Sequence, residues 1–270
     1  KSYFKFGLLI HIHLHAKSQK KYNSTVGVNK IDSVNISKRR LIALIDNLQS
    51  TIKSLNWSAG GTEWDDYYSN NNNYNSESML EKETMVESII SQVNPNTVWD
   101  LGANNGHFSR IAAKYSPNVV SWDIDPSCVE RNYLISKISK KENIIPLLVD
   151  LTNPSPAIGW NCEERYSFFQ RDKVDLLLAL GLVHHLAISN NLPLEKIFHS
   201  FHNITKYLVI EFIPKSDSQV KKLFLSRQDI FENYSIEGFE KSFANLFEVL
   251  SCEKLTHSER TIYFLKKITK

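Results

Sequence analysis

A three-layer α/β fold around a mostly parallel sheet is what this chain of 270 residues predicts. Two observations carry that expectation. From Val98 onward, short apolar runs alternate with longer segments of helical apolar spacing, as strands joined by crossover helices do. The first of these runs passes into a glycine-containing loop and a helix start, and the second ends in acid, the arrangement that opens a ligand crevice beyond the strand ends. With 42% hydrophobic residues, 14 Phe, 11 Tyr and 5 Trp, the chain can also bury a substantial core.

Taken in order, residues 1–57 form an extension of different character. Leu9-Ile10-His11-Ile12-His13-Leu14-His15 alternates, which places three histidines on one side of a possible strand, in a row rather than around a metal. A helix is expected from Ser37, whose hydroxyl can cap it ahead of Lys38-Arg39-Arg40. Leu41, Leu44, Ile45, Leu48, Ile52 and Leu55 then have helical spacing and predict an amphipathic helix that covers something. Residues 58–78 are polar, with Gly60-Gly61 and Asn70-Asn71-Asn72-Asn73, and read as loop. Trp64, Tyr67, Tyr68 and Tyr74 make this loop unusually aromatic. Either it is a lid, with Tyr68 and Tyr74 against a substrate, or its rings pack it onto the domain.

The third region, 79–270, begins with a helix over 79–92 that carries Lys82, expected at the surface. Strands are expected near 97–102, 119–124, 144–150, 174–180 and 207–213, and helices near 106–115, 127–140, 193–204 and 236–246. Asn153–Asp172 is long for a connection and carries Trp160, Tyr166, Phe168 and Phe169, so it is expected to help line a pocket.

The strongest motif is Val98-Trp99-Asp100-Leu101-Gly102-Ala103-Asn104-Asn105-Gly106-His107, followed by Val119-Val120-Ser121-Trp122-Asp123-Ile124-Asp125-Pro126. Gly102 and Gly106 permit positive φ and close approach of a ligand to the main chain. The helix after Gly106 opens with free N–H groups. Asp123 is placed to accept hydrogen bonds from two ribose hydroxyls. A dinucleotide fingerprint would have glycine where Asn104 stands. Asp100 would repel a pyrophosphate but suits a ligand carrying an ammonium and a sulfonium, which favours S-adenosylmethionine over NAD. Asp125 is better placed to cap the helix starting at Pro126.

This D-x-G-x-x-x-G spacing with a following strand that ends in Asp resembles the class I S-adenosylmethionine-dependent methyltransferases over roughly residues 60–270. Thr62-Glu63-Trp64-Asp65-Asp66-Tyr67-Tyr68 and Leu151-Thr152-Asn153-Pro154-Ser155-Pro156 are similar to a bacterial group grouped with nodulation proteins. The resemblance implies a Rossmann-like seven-stranded methyltransferase sheet that is mostly parallel, with a C-terminal antiparallel strand. The runs 247–255 and 260–267 would supply its closing pair, behind the helical N-terminal extension. It further implies that Asp100, Gly102, Ala103, Asn104 and Gly106 hold the methionine part of S-adenosylmethionine. Asp123 would hold the ribose, and Asp150 with the Leu151 N–H the adenine. Lys82 would be within reach of the cofactor carboxylate.

The fourth apolar run ends in Val183-His184-His185-Leu186, beside the transferred methyl group in such a fold, so His184 and His185 are the candidate bases. They can equally cap the next helix, and the sequence does not separate them. Glu211, closing the fifth run, can meet an acceptor amine or hydroxyl or serve as a paired carboxylate. Arg227 and Asp229 can pair with each other or meet substrate. Asn153-Pro154-Ser155-Pro156 is similar to the motif of base-amine methyltransferases but follows the third strand instead of the fourth, which argues against that chemistry.

The net charge of +3 is too mild to argue for nucleic acid. Three widely separated cysteines, Cys128, Cys162 and Cys252, form no metal motif or disulfide framework and suit a reducing cytoplasm. No apolar run approaches a membrane span, and Phe6-Gly7-Leu8-Leu9-Ile10 is too short for a signal peptide. The chain opens on Lys1, as a fragment or trimmed form would. The function expected is methyl transfer to a small-molecule or glycan hydroxyl, without metal. An RNA-modifying methyltransferase and a catalytically silent cofactor-binding scaffold are the alternatives.

Overall fold

The computed structural model describes residues 2–23, 37–62, 76–140, 143–171, 173–256 and 258–269. Trp64, Tyr67, Tyr68 and Tyr74 lie outside the described residues, and so does the lid expected of them. The chain divides into two compact units, Lys1–Ser58 and Ala59–Lys270.

In the first unit, α1 (Phe6–Leu8), the π-helical Leu9–Leu14 and α2 (His15–Asn23) follow one another. The Leu9–His15 run is therefore helical, not a strand. A short alternating run fits either period, and here the helical carbonyl–amide bonds win, with Leu9 N–H donating to the Lys5 carbonyl. Of its histidines, His11 hydrogen-bonds Asn47 at 2.9 Å and His13 stacks on Tyr3. Helix α3 (Lys38–Lys53) starts where expected, the Ser37 hydroxyl accepting from the Arg40 N–H. Its apolar positions Leu41, Leu44, Ile45, Leu48 and Ile52 are exposed.

The second unit is built on a seven-stranded sheet of order β3-β2-β1-β4-β5-β7-β6. Its strands are β1 (Thr97–Leu101), β2 (Asn118–Asp123), β3 (Ile144–Leu148), β4 (Val174–Ala179), β5 (Thr205–Phe212), β6 (Phe247–Lys254) and β7 (Thr261–Lys267). The pairings β1–β2, β1–β4, β2–β3 and β4–β5 are parallel. Strand β7 runs antiparallel to both β5 and β6, so it is the reversed strand and lies one place in from the edge. The helices are α4 (Ser76–Val93), α5 (His107–Ala112), α6 (Pro126–Ile138), α7 (Leu194–Ile204), α8 (Ser218–Phe224) and α9 (Ile236–Phe243). Among the described residues no helix is long and apolar enough to cross a membrane.

Central strands covered on both faces lose the polar–apolar alternation, which is why 176–180 is an unbroken apolar run. Strand geometry sends neighbours to opposite cores. Leu176 and Leu178 join Val98, Val119, Val86 and Ile90, under α4 and α5. Leu177 and Ala179 join Trp99, Trp122, Phe198 and Phe239, under α7 and α9. On that second side Phe198 packs edge-on against Phe239 and tilted against Phe243, each at 5.1 Å between ring centroids. Helix α8 and the turn at 185–189 lie outside the predicted helices; both are too short for a periodic signal.

The long connection after β3 behaves differently from its expectation. Trp160 and Tyr166 are exposed, while Phe168 drops into the core against Trp99 and Trp122. The aromatic count of the insert is a poor guide because one ring fills a core gap and others face solvent. A Phe198→Ala variant is expected to lose about 3–5 kcal/mol of unfolding free energy, the cost of an aromatic core truncation, measured by denaturant titration.

Candidate functional site

Parallel strands place all their C-terminal ends on one side, and the loops that follow β1, β2, β3 and β4 line a cavity of ≈ 310 Å³ there. That volume is at the lower bound for small-ligand sites. Its lining includes Asp100, Gly102, Ala103, Asn104, Asp123, Asp150, Leu151 and His185. Residues from four neighbouring strand ends therefore converge on one space.

The β1–α5 loop is fixed by main-chain bonds. Gly102 and Ala103 N–H both donate to the Trp122 carbonyl, at 2.8 and 3.0 Å. Asn104 N–H donates to Asp123 Oδ2 at 2.7 Å. Gly102 has φ +72° and Asn104 φ +49°. Asparagine is among the few side chains that tolerate the left-handed region, so Asn104 substitutes for a glycine there. Gly106, expected at the cofactor, is absent from the described lining. It has φ +79°, and a Cβ there would crowd the Asn132 carboxamide. The missing Cβ lets α5 start against α6.

Asp100 is buried and accepts from the Ser109 hydroxyl at 2.6 Å, which in turn accepts from Ser121 at 2.7 Å. Burial pushes the Asp100 carboxyl up to about 6, with the Ser109 bond opposing that rise. Asp123 also lies above the usual carboxylate range through burial, opposed by the N–H groups of Asp125 and Asn104. Asp150 is held below that range by the Thr152 hydroxyl, which donates at 2.6 Å. Asp125 caps α6, accepting from Ser127 N–H at 2.8 Å.

The two histidines separate. His185 lines the cavity, whereas His184 is fully buried, outside the described lining, with its Nδ1 unpartnered. Their rings lie 3.9 Å apart. Burial lowers both: His185 to about 4, and His184 well below the usual imidazole range. Of the pair, only His185 belongs to the described lining.

Lys82 is not at the surface. Ser78, Lys82, Val86 and Ile90 form an i, i+4 stripe on the buried face of α4, so the lysine is carried inward. It lines the cavity and pairs with Glu211 Oε2 at 2.8 Å. Burial lowers its pKa, and the Glu211 charge opposes the fall. Glu211, read from sequence as either an acceptor contact or a paired carboxylate, is buried, paired and absent from the described lining. Its other oxygen lies 4.0 Å from Arg260 Nη1, and Arg260 Nε donates to Asp217 Oδ2 at 2.8 Å. Lys82, Glu211, Arg260 and Asp217 thus alternate in sign. The one sequence signal for this network is the α4 stripe; Arg260 and Asp217 have none. Arg227 and Asp229 bind elsewhere, to the Ile188 carbonyl and to Lys215.

No family model matches the chain. It is 32% identical over 268 residues to the nodulation protein NoeA of Rhizobium meliloti (strain 1021), a match covering 98% of this chain and 56% of that protein. The chain thus spans about half the length of the curated relative it matches. Among solved structures, it is similar to the N-methyltransferase NodS from Bradyrhizobium japonicum WM9, with TM-score 0.52, 10% identity, and 72% of this chain and 99% of that one covered. NodS in complex with S-adenosyl-L-homocysteine matches with TM-score 0.52 and 11% identity, covering 71% of this chain and 88% of that one. A Pyrococcus horikoshii OT3 protein matches with TM-score 0.54 and 15% identity, covering 77% and 100%. The fold is the class I methyltransferase fold. Strand order, reversed β7 and the position of the cavity all belong to that architecture.

Removing one ionic partner at a time tests how these groups are held. Glu211→Ala, which strands Lys82 in the interior, is expected to cost about 3–5 kcal/mol of stability; Lys82→Met with Glu211→Leu should restore most of it in a denaturant titration. Because the folded-state pKa of Asp100 is raised, its contribution is most favourable below the unfolded value and is lost as pH rises toward about 6. Asp100→Asn is therefore expected to melt above wild type at pH 8, with the gap narrowing toward pH 5 in calorimetric scans without ligand.

Proposed function

We propose that the strand-end cavity binds S-adenosylmethionine and that the chain transfers its methyl group to a small-molecule or glycan hydroxyl. One observation carries this reading: Asp100, Asp123 and Asp150 line a single cavity together with the loop of Gly102, Ala103 and Asn104. The groups present fit that cofactor. Asp100 is an acceptor for an ammonium, and its raised pKa is what a buried acid awaiting a cation has. Both Asp123 oxygens accept main-chain N–H bonds, which fixes the carboxylate for two neighbouring ribose hydroxyls. Trp122 Nε1, a buried donor without a hydrogen-bond partner, belongs to a residue of the same lining. Asp150 and the Leu151 N–H would meet the adenine, and Lys82 the carboxylate; all three residues line the cavity.

When bound, the cofactor supplies a methyl carbon made electrophilic by positive sulfur. The chain's own part is positioning, since in-line transfer depends on where the acceptor is held. His185, uncharged at neutral pH, can accept the proton of an acceptor hydroxyl in a hydrogen bond and orient its oxygen. The one basic residue in the described lining besides the histidine is Lys82, and its charge is shared between Glu211 and the cofactor carboxylate, which supports a neutral acceptor over a polyphosphate.

Calorimetry with S-adenosylhomocysteine should give a micromolar-range Kd, about 8 kcal/mol of binding free energy. Asp123→Ala should weaken it by about 1–3 kcal/mol. Absence of heat up to millimolar ligand would refute the proposal, and binding without release of product across an acceptor panel would leave a silent scaffold. His185→Ala should keep the cofactor affinity but slow turnover by about a hundredfold, the lower end for a positioned proton acceptor. In wild type saturated with cofactor, the acid limb of kcat/KM for the acceptor should fall near pH 4 rather than in the ordinary imidazole range, because the imidazole protonates only there.

A further inference from the structure

The part of the cavity lining that follows β4 has a chemistry of its own, and a role for it in catalysis rests on the methyl-transfer reading. The charged groups of the described lining are Asp100, Asp123, Asp150 and Lys82, all on strand ends or α4. The segment after β4 supplies a different set: Leu182, His185, Leu186, Ser189 and Asn190, joined by Leu223 from α8. Three of these side chains are polar and none carries a charge at neutral pH.

The polar three come from one turn. Residues His185–Ser189 form a π-helical turn, closed by Asn190 N–H donating to the His185 carbonyl at 3.1 Å. Such turns widen the helix by a residue and concentrate at functional sites. Here the turn brings His185, Ser189 and Asn190 to the same cavity wall. Asn190 is further fixed by its own Nδ2, which donates to that carbonyl at 2.9 Å. Its carboxamide retains an oxygen acceptor and a second N–H, the Ser189 hydroxyl can donate and accept, and a neutral imidazole offers one of each. A wall of paired donors and acceptors without charge matches molecules whose own groups both donate and accept, and the leucines beside it suit C–H surface.

We infer that Ser189 and Asn190 form the acceptor subsite for a neutral molecule with neighbouring hydroxyl groups, a saccharide, binding one hydroxyl while its neighbour lies against His185. Among the described residues of this segment an amine acceptor would meet no carboxylate, and a phosphorylated one no cation. Ser189 and Asn190 are then specificity-determining residues, and the leucines take the apolar face of the sugar ring.

The test is saturation-transfer NMR on the full chain loaded with S-adenosylhomocysteine. The probes are methyl β-glucopyranoside and cellobiose, with glucosamine and glucose 6-phosphate as charged controls. The neutral sugars should show transfer exceeding that of both controls. Ser189→Ala and Asn190→Ala should each weaken binding at least about fivefold, the loss of roughly one hydrogen bond. Both positions are at least partly exposed, and thermal melts verify that the variants fold. No transfer from either neutral sugar, stronger transfer from a charged control, or affinities unchanged in both variants would overturn the assignment. The calorimetric S-adenosylhomocysteine titration separates the two readings: retained cofactor binding with failed sugar binding removes this subsite alone, whereas failed cofactor binding removes the methyl-transfer reading itself.

Discussion

The two hydrogen bonds from Gly102 and Ala103 to the Trp122 carbonyl are the constraint on which the site depends. They tie the loop after β1 to the end of β2, so that Asp100 and Asp123 face one space. That clamp requires a backbone that turns immediately after β1, which Gly102 provides at φ +72°. Asn104 continues the turn and passes its own N–H to Asp123. The loop that would contact a ligand is therefore the same loop that fixes the acid beside it, and neither can move independently of the other.

Around that clamp the molecule buries charge in two ways. Lys82, Glu211, Arg260 and Asp217 are compensated by one another, and they link α4, β5, the start of β7 and the cap of α8. Buried pairs of this kind recover their desolvation cost only with good geometry, so their value lies in fixing relative placement rather than in net stability. Asp100 is treated differently. It accepts from the Ser109 hydroxyl, and its carboxyl is left with a raised pKa. A charge under-compensated by the protein favours a cationic ligand, at some cost to the stability of the protein alone. Helix α8 connects the two arrangements, since Asp217 caps it and Leu223 on it reaches the cavity.

Much of this is legible in the residues. The alternation after Val98 locates the strands of the sheet to within about two residues, because sheets covered on both faces force continuous apolar runs. The acids at the ends of β1 and β2 are legible for the same reason: a carboxylate at the end of such a run lies at the sheet's rim. The failures have physical causes as well. Lys82 reads as a surface residue because lysine usually is one, although Ser78, Val86 and Ile90 already mark the buried face of its helix. Phe168 and Trp160 look alike in sequence, yet one enters the core and the other faces solvent.

What the sequence determined by itself was the kind of fold and the edge of the sheet at which ligand-binding groups collect, since both follow from local periodicity and from residues a few positions apart. Only the tertiary structure decided which groups meet. It set His185 on the cavity wall and His184 behind it, sent Glu211 to Lys82, and brought Arg260 to Asp217 across 43 positions of chain. Those choices depend on how helices seat against the two faces of the sheet, and that packing is settled by long-range contacts that no local pattern encodes.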